Sequence, residues 1–327
     1  MADRPGEFQT IRELFAPLAH PEWGRGLLDD VAVLPTRPGY DLVLTKDALI
    51  EGVHFLADDP LDTVARKLLR ANLSDLAAKG AEPFGYLLMT AWSGRCGWEE
   101  RKAFAEGLKA DQIRFGVQLL GGDTVSTSGP ATFSLTALGW TPKGRTVGRV
   151  GARPGDLLFV TGSIGDGWLG LQAAKGLLRL EPERLSTLIA HYRMPSPRVE
   201  FAMVVREHAS ASADVSDGLI ADAGHIGEAG GVGLEIDLER MPLSAAGHTW
   251  LDARPDPVAA LTTLATGGDD YEIVFTAPAR AEAALKREAE RVRLRLTAIG
   301  QATTGTGMLV RHLRKPLELH RTGWAHP

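Results

Sequence analysis

Apolar residues recur at helical spacing over Glu7–Leu18, at Phe8, Ile11, Leu14, Phe15 and Leu18. Short apolar runs at Val31–Leu34 and Asp41–Thr45 predict strands. From Asp62 to Ala78 one face carries Leu61, Val64, Ala65, Leu68, Leu69 and Leu73, which predicts a helix. Phe84–Thr90 reads as a strand and Trp98–Phe115 as a helix. A strand over Val117–Leu120 ends at Gly121-Gly122, and another covers Thr132–Leu138. Residues Thr141–Pro154 are rich in Gly, Arg and Pro and have no apolar period, so the domain boundary is placed there, giving domains 1–145 and 146–327. The second half opens with a strand, Asp156–Thr161, then a Gly-rich turn and a helix from about Trp168. Pro195 and Pro197 break the next helical stretch. Val215–Glu228 reads as helix, and Gly233–Asp237 and Glu272–Thr276 as strands. Helices alternate with strands, which predicts an α/β or α+β fold.

Composition narrows the class. The chain has 327 residues, 44% hydrophobic and 24% charged, within the ordinary globular range and too long for one comfortable core. A net charge of -5 argues against a general nucleic-acid binder. The single cysteine, Cys96, cannot form an internal disulfide or a zinc site, and the reducing cytoplasm is the expected compartment. Cys96 is assigned no role. The opening MADRPGEFQTIRELF lacks a signal-peptide core, and no run of ~18 apolar residues predicts a membrane span.

No G-x-x-x-x-G-K-[ST] occurs, so a P-loop is excluded, and the protein-kinase motifs are absent too. A G-x-G-x-x-G does occur, at Gly165, Gly167 and Gly170. A dinucleotide site would need a second strand ending in an acidic residue ~20 positions on. Residues 171–191 read as helix instead, so a tight strand–helix turn is the better reading, and that turn could still cradle another anion. The sharper signal is the placement of aspartates: Asp29-Asp30, Asp47, Asp123, Asp269 and Asp270 beside strands, Asp75 near a helix end, and Asp214 and Asp217 at a helix start. Such carboxylates can converge in one crevice and hold Mg²⁺, which prefers hard oxygens. With bridging metal ions an acidic cluster becomes a phosphate site. Singly, each aspartate has a structural alternative: Asp beside Gly marks turns, and Asp214 or Ser216 can cap a helix.

These motifs together resemble the thiamine-monophosphate kinase family, within the superfamily of aminoimidazole ribonucleotide synthetase and selenophosphate synthetase. The resemblance runs through GEF (6–8), LLDDVAVL (27–34), LTKDALIEGVHF (44–55), NLSDLAAKGAEP (72–83), GGDT (121–124), VTGSIGDGWLGL (160–171), ADVSDGL (213–219), GGDDYEIVFT (267–276) and GW-x-H (323–326). It implies transfer of the γ-phosphoryl of ATP to thiamine monophosphate, giving thiamine diphosphate without a phosphoenzyme or a protein nucleophile. It implies several Mg²⁺ ions on Asp30, Thr45, Lys46 (at the motif's position), Asp47, Asp75, Asp123, Asp214 and Asp217. Gly122, Asp123, Arg149 and Ser216 would contact ATP or its metals. His54, Asp269 and Trp324 would contact the substrate. The implied architecture is a two-domain aminoimidazole ribonucleotide synthetase-like fold, its first domain binding ATP and Mg²⁺. The N-terminal sheets of two subunits would pack as a homodimer. Neither nucleic acid nor membrane is an expected partner.

Those roles agree with the chemistry. Two anions must be brought together, so positioning and charge neutralisation dominate. Arg149 can clamp phosphate oxygens or stand as a solvated linker charge. Trp324 can pack on a cationic thiazolium or cap the core. For His54, structural hydrogen bonding is the alternative role. The chain departs from the family at three places. Leu28 stands where a Gly precedes Asp30. Lys46 replaces a small polar residue; a protonated lysine offers no lone pair, so it either supplies charge or points away. Asp269 replaces the usual Glu of GGED. Three other readings are weaker: a superfamily member with a different acceptor, a non-catalytic nucleotide sensor, and a dinucleotide oxidoreductase. A selenophosphate-type enzyme would want a reactive N-terminal cysteine.

Overall fold

A computed structural model describes residues 6–324. His326 of the GW-x-H motif lies outside them. The chain divides into two compact units, residues 1–76 with 81–144, and residues 77–80 with 145–327.

The first unit starts with α1 (Glu7–Thr10), continued by a π turn and a 3-10 turn to Leu18, so the predicted helix is present but irregular. It contains β1 (Tyr40–Ile50), α2 (Leu61–Ala78), β2 (Glu82–Trp92), α3 (Trp98–Phe115), β3 (Gln118–Ser126) and β4 (Thr132–Pro142). The strands form one sheet in the order β1-β4-β2-β3. β1 and β2 pair antiparallel with β4, and β3 runs parallel to β2. Strands show a side chain to each face in turn. One face buries Tyr86, Leu88, Trp92, Phe133 and Leu135, and Phe104 of α3 packs on it against Trp92 and Phe133. The other face leaves Leu42 at 40% and Leu44 at 58% exposure, with Leu87 and Val125 also exposed.

Val31–Leu34 forms no strand. That run is exposed at Val31 and Val33, and the Val33 amide ties it back to the Trp23 carbonyl, 2.9 Å. A short apolar run without a strand to pair with stays irregular. β1 and β3 are longer than their apolar runs suggest: polar Lys46 and Asp47, and the Gly121-Gly122 pair, continue within the ladders. Asp47 and Asp123 therefore lie inside strands rather than after them.

The second unit contains β5 (Asp156–Thr161), α4 (Asp166–Ala174), α5 (Pro182–Arg193), α6 (Ala202–His208), β6 (Ala211–Asp214), α7 (Leu219–Gly230), β7 (Gly233–Asp237), α8 (Ala245–Asp252), α9 (Pro257–Ala265), β8 (Ile273–Pro278), α10 (Glu282–Arg291), β9 (Leu296–Thr303), β10 (Gly307–His312) and β11 (Lys315–Pro316). Its sheet runs β11-β10-β7-β9-β5-β8-β6. One core gathers Leu158, Val160, Leu219, Ile226 and Leu234, and another gathers Phe159, Phe201 and Phe275. The predicted helix Val215–Glu228 splits: Asp214 ends β6, a turn carries Ser216–Gly218, and α7 starts at Leu219. Among the described residues no helix is long and apolar enough to cross a membrane.

Candidate active site

In the first unit the sheet sorts the predicted ligands by face. Thr45 pairs with Ala137 and Asp47 with Leu135, the rows that contain buried Tyr86 and Leu88. Both side chains therefore share the helix-covered face, where α2 presents Asp75. Thr45 Oγ1 donates to Asp75 Oδ2 at 2.5 Å. Lys46 pairs with Thr136 in the row of Leu87 and Gly121, on the open face. Its ammonium is thus directed away from the Thr45–Asp47–Asp75 group. Asp123 pairs with Met89 and also belongs to the open face.

Asp30, Gly122 and Asp123 line one cavity of about 300 Å³, together with Asp29 and Gly24. Gly122 is required there. Its φ is +157°, and a Cβ would stand 1.7 Å from the Leu88 carbonyl oxygen. Asp29 is ion-paired to Arg25, whose hydrogen bond pulls its carboxyl below the ordinary range. Leu28, in place of a glycine, has an ordinary φ of −98°, and Arg25, Gly26 and Leu27 take the left-handed turn instead.

His54 Nδ1 accepts the Ile50 amide at 3.0 Å. Neutral His54 accordingly carries its proton on Nε2. The buried Lys67 donates to the His54 carbonyl at 3.2 Å, holding the same turn. Cys96 is buried beside Ser93, Sγ to Oγ 3.5 Å, so the thiol does have a partner.

In the second unit Asp214 is buried at the end of β6, and Ser216 and Asp217 follow on the turn. The amides of Ser216, Asp217 and Gly218 all donate to one oxygen of Asp222, at 3.0, 3.0 and 3.1 Å. Burial, then the charge of Asp217, pushes the Asp222 carboxyl up to about 7 against the pull of those amides. The Asp269 amide donates to the Ser216 carbonyl at 2.9 Å, and the Tyr271 amide to the Val215 carbonyl at 2.8 Å. At Gly268 a Cβ would meet the Ser216 oxygen at 2.5 Å, so only glycine permits this approach. The Trp324 amide donates to the Asp217 carbonyl at 2.8 Å. Its ring is 48% exposed, lies under the Arg321 guanidinium, and joins Asp217 and His225 around an open cavity of about 880 Å³. Arg149 is exposed on the segment leading into this unit.

The glycine fingerprint already has its acceptor. The amides of Gly165 and Gly167, at the start of α4, donate to the two oxygens of buried Asp270 at 2.8 and 2.9 Å. Burial, with Asp166 and Glu272 nearby, holds the Asp270 carboxyl well above its usual range despite these bonds. Glu272 is itself closed off by Arg198 and by Thr161 Oγ1 at 2.7 Å. Asp222 and Tyr271 escaped the sequence reading. The one signal for Asp222 is an acidic residue in the first turn after a glycine, which is common at helix starts.

Among the described residues no three His, Cys, Asp or Glu side chains come together as a metal cage. Carboxylate groups of this size suit a cation that keeps water and phosphate as further ligands.

Two domains of the AIR synthase related protein family match the chain, the N-terminal domain over residues 28–141 and the C-terminal domain over 153–312. Thiamine-monophosphate kinase of Caulobacter vibrioides is 48% identical over 323 residues, 98% of this chain and 91% of that protein. The crystal structure of thiamine-monophosphate kinase from Stenotrophomonas maltophilia superposes with a TM-score of 0.80 at 34% identity, covering 89% of this chain and 91% of that one. A structure of AaThiL complexed with AMPPCP and TMP gives 0.76 at 30% identity, covering 88% and 89%. With both domains matched in order and identity sustained across nearly its whole length, the chain belongs to the thiamine-monophosphate kinase family of AIR synthase related proteins.

Proposed function

We propose that this chain phosphorylates thiamine monophosphate with ATP, forming thiamine diphosphate and ADP, the last step in making the diphosphate. The observation that carries the reading is 48% identity over 98% of the chain to a thiamine-monophosphate kinase. The similar structure that holds AMPPCP and TMP supports the same substrate pair. A phosphate oxygen of the acceptor attacks the γ-phosphorus in line, and the bond to the β–γ bridging oxygen breaks. The acceptor is already an anion, so neither a covalent side chain nor a strong base is needed.

Magnesium, when bound, neutralises the triphosphate and the charge that develops in transfer. Asp30 and Asp123, Thr45 with Asp47 and Asp75, and Asp214 with Asp217 are the groups that would hold it. Lys46, cationic and on the other face of β1 from Thr45 and Asp47, supplies no ligand to that group. Gly122, Asp123, Arg149 and Ser216 bind ATP. His54, Asp269 and Trp324 receive the acceptor, with the indole face suited to a cationic thiazolium. The open apolar face around Leu42, Leu44, Leu87 and Val125 is the surface on which a second copy packs as a homodimer. The single cysteine fits work in the reducing cytoplasm.

The test is a transfer assay with ATP, Mg²⁺ and thiamine monophosphate, with thiamine and no acceptor as controls and Asp47→Asn alongside. Thiamine diphosphate formed only from the monophosphate, and lost in the variant, is the expected result. ATP binding without that product would reject the acceptor.

A further inference from the structure

The turn Ser216–Gly218 has the form of an anion nest: three successive amides converge on one point. The point is occupied by Oδ2 of Asp222, four residues into the chain after the turn ends. These amides are therefore not offered to a nucleotide phosphate. The same holds for the start of α4, where Asp270 takes the Gly165 and Gly167 amides. The turn leaves Ser216 and Asp217 partly exposed, and Asp217 lines the cavity beside Trp324. Its outer contacts are set by its backbone, since Ser216 O receives Asp269 N and Asp217 O receives Trp324 N.

We propose that Asp222 is a positioning residue: by gathering the amides of Ser216, Asp217 and Gly218 it fixes the turn that presents Asp217 to a divalent cation and holds the Asp269 and Trp324 segments in place. The inference rests on the reading of Asp217 as a cation ligand. Its physical basis is that a ligand acts at full strength only when its own backbone is immobilised, and groups behind metal ligands typically change affinity or activity by about 10–100-fold. The role requires an acceptor oxygen at this point and not a negative charge, so Asn can fill it.

The full-length protein is compared with Asp222→Ala, Asp222→Asn and Asp217→Asn. Two readouts are taken besides turnover: hydrogen exchange at the 216–218 amides without nucleotide, and Mn²⁺ binding in the presence of AMPPCP by electron paramagnetic resonance. Asp222→Ala is expected to speed exchange at the three amides and to weaken Mn²⁺ binding by about tenfold or more. Asp222→Asn is expected to restore both. Faster exchange with unchanged Mn²⁺ affinity in Asp222→Ala would overturn the proposal, as would an Asn variant as defective as Ala. Should Asp222→Ala not fold, Asp222→Ser, whose hydroxyl reaches at most one amide, takes its place under the same criteria. Unchanged Mn²⁺ binding in Asp217→Asn would instead overturn the assignment of Asp217, a separate failure.

Discussion

The Tyr271 hydroxyl donates to Oδ1 of Asp269 at 3.2 Å, and both residues hold left-handed backbone, with φ of +52° and +70°. The buried phenol thus fixes the carboxylate that is one methylene shorter than the family's glutamate. Tyr271→Phe keeps the ring and removes the bond. Loss of ~1 kcal/mol predicts about a fivefold rise in KM for thiamine monophosphate. kcat should change little, and steady-state kinetics with a melting curve as control will check it.

Gly122→Ala is expected to be costly. The added methyl would overlap the Leu88 carbonyl at 1.7 Å, which no rotamer relieves. Displacing β3 from β2 should cost about 3 kcal/mol. A denaturant midpoint well below that of the parent, with ATP binding weakened, is the expected outcome.

The proposed homodimer predicts that Leu44→Glu yields a monomer. Leu44 is on the open face at 58% exposure, so the substitution leaves the buried side of the sheet untouched. Sedimentation velocity at micromolar concentration should show the smaller species, and the melting transition should remain cooperative.

Stability should fall as pH rises from about 4 to about 7. The folded state raises the Asp222 carboxyl to about 7, and Asp270 and Asp166 are shifted in the same direction by burial. In that window the native state binds more protons than the unfolded chain, so the slope of unfolding free energy with pH is negative. The contribution is complete below the unfolded carboxylate range and is lost through pH 7. Urea midpoints measured across the window will check the sign, and Asp222→Asn should flatten the slope.

Much of this was legible in sequence because it is local. The 18-residue helix at Trp98–Phe115 and the strand at Asp156–Thr161 stand where their own periodicity puts them. Val31–Leu34 looked like a strand because apolar runs carry no record of whether a partner strand exists. The strands β9 and β10 have no strong alternation and were not predicted, and the helix α10, whose Leu285 and Ala289 are buried four apart, was passed over. The aspartate motifs were visible, but the division of Lys46 from Thr45 and Asp47 needed the register of β1 on β4. The occupant of the glycine turn before α4 was hidden for a different reason. Asp270 is 103 positions from Gly167, so chain order does not reveal that contact.

The two-faced strand β1 also limits how this protein can change in length. Thr45 and Asp47 face the helices while Lys46 faces outward, because side chains alternate. A single deletion between Asp41 and Thr45 that kept the rest of the ladder in register would leave the later residues alone and invert the earlier ones. A deletion absorbed by sliding the strand would instead carry Lys46 inward and Thr45 and Asp47 out. Length variation among descendants of this chain should therefore collect in the turns flanking β1, and within the strand only even-numbered changes preserve the site.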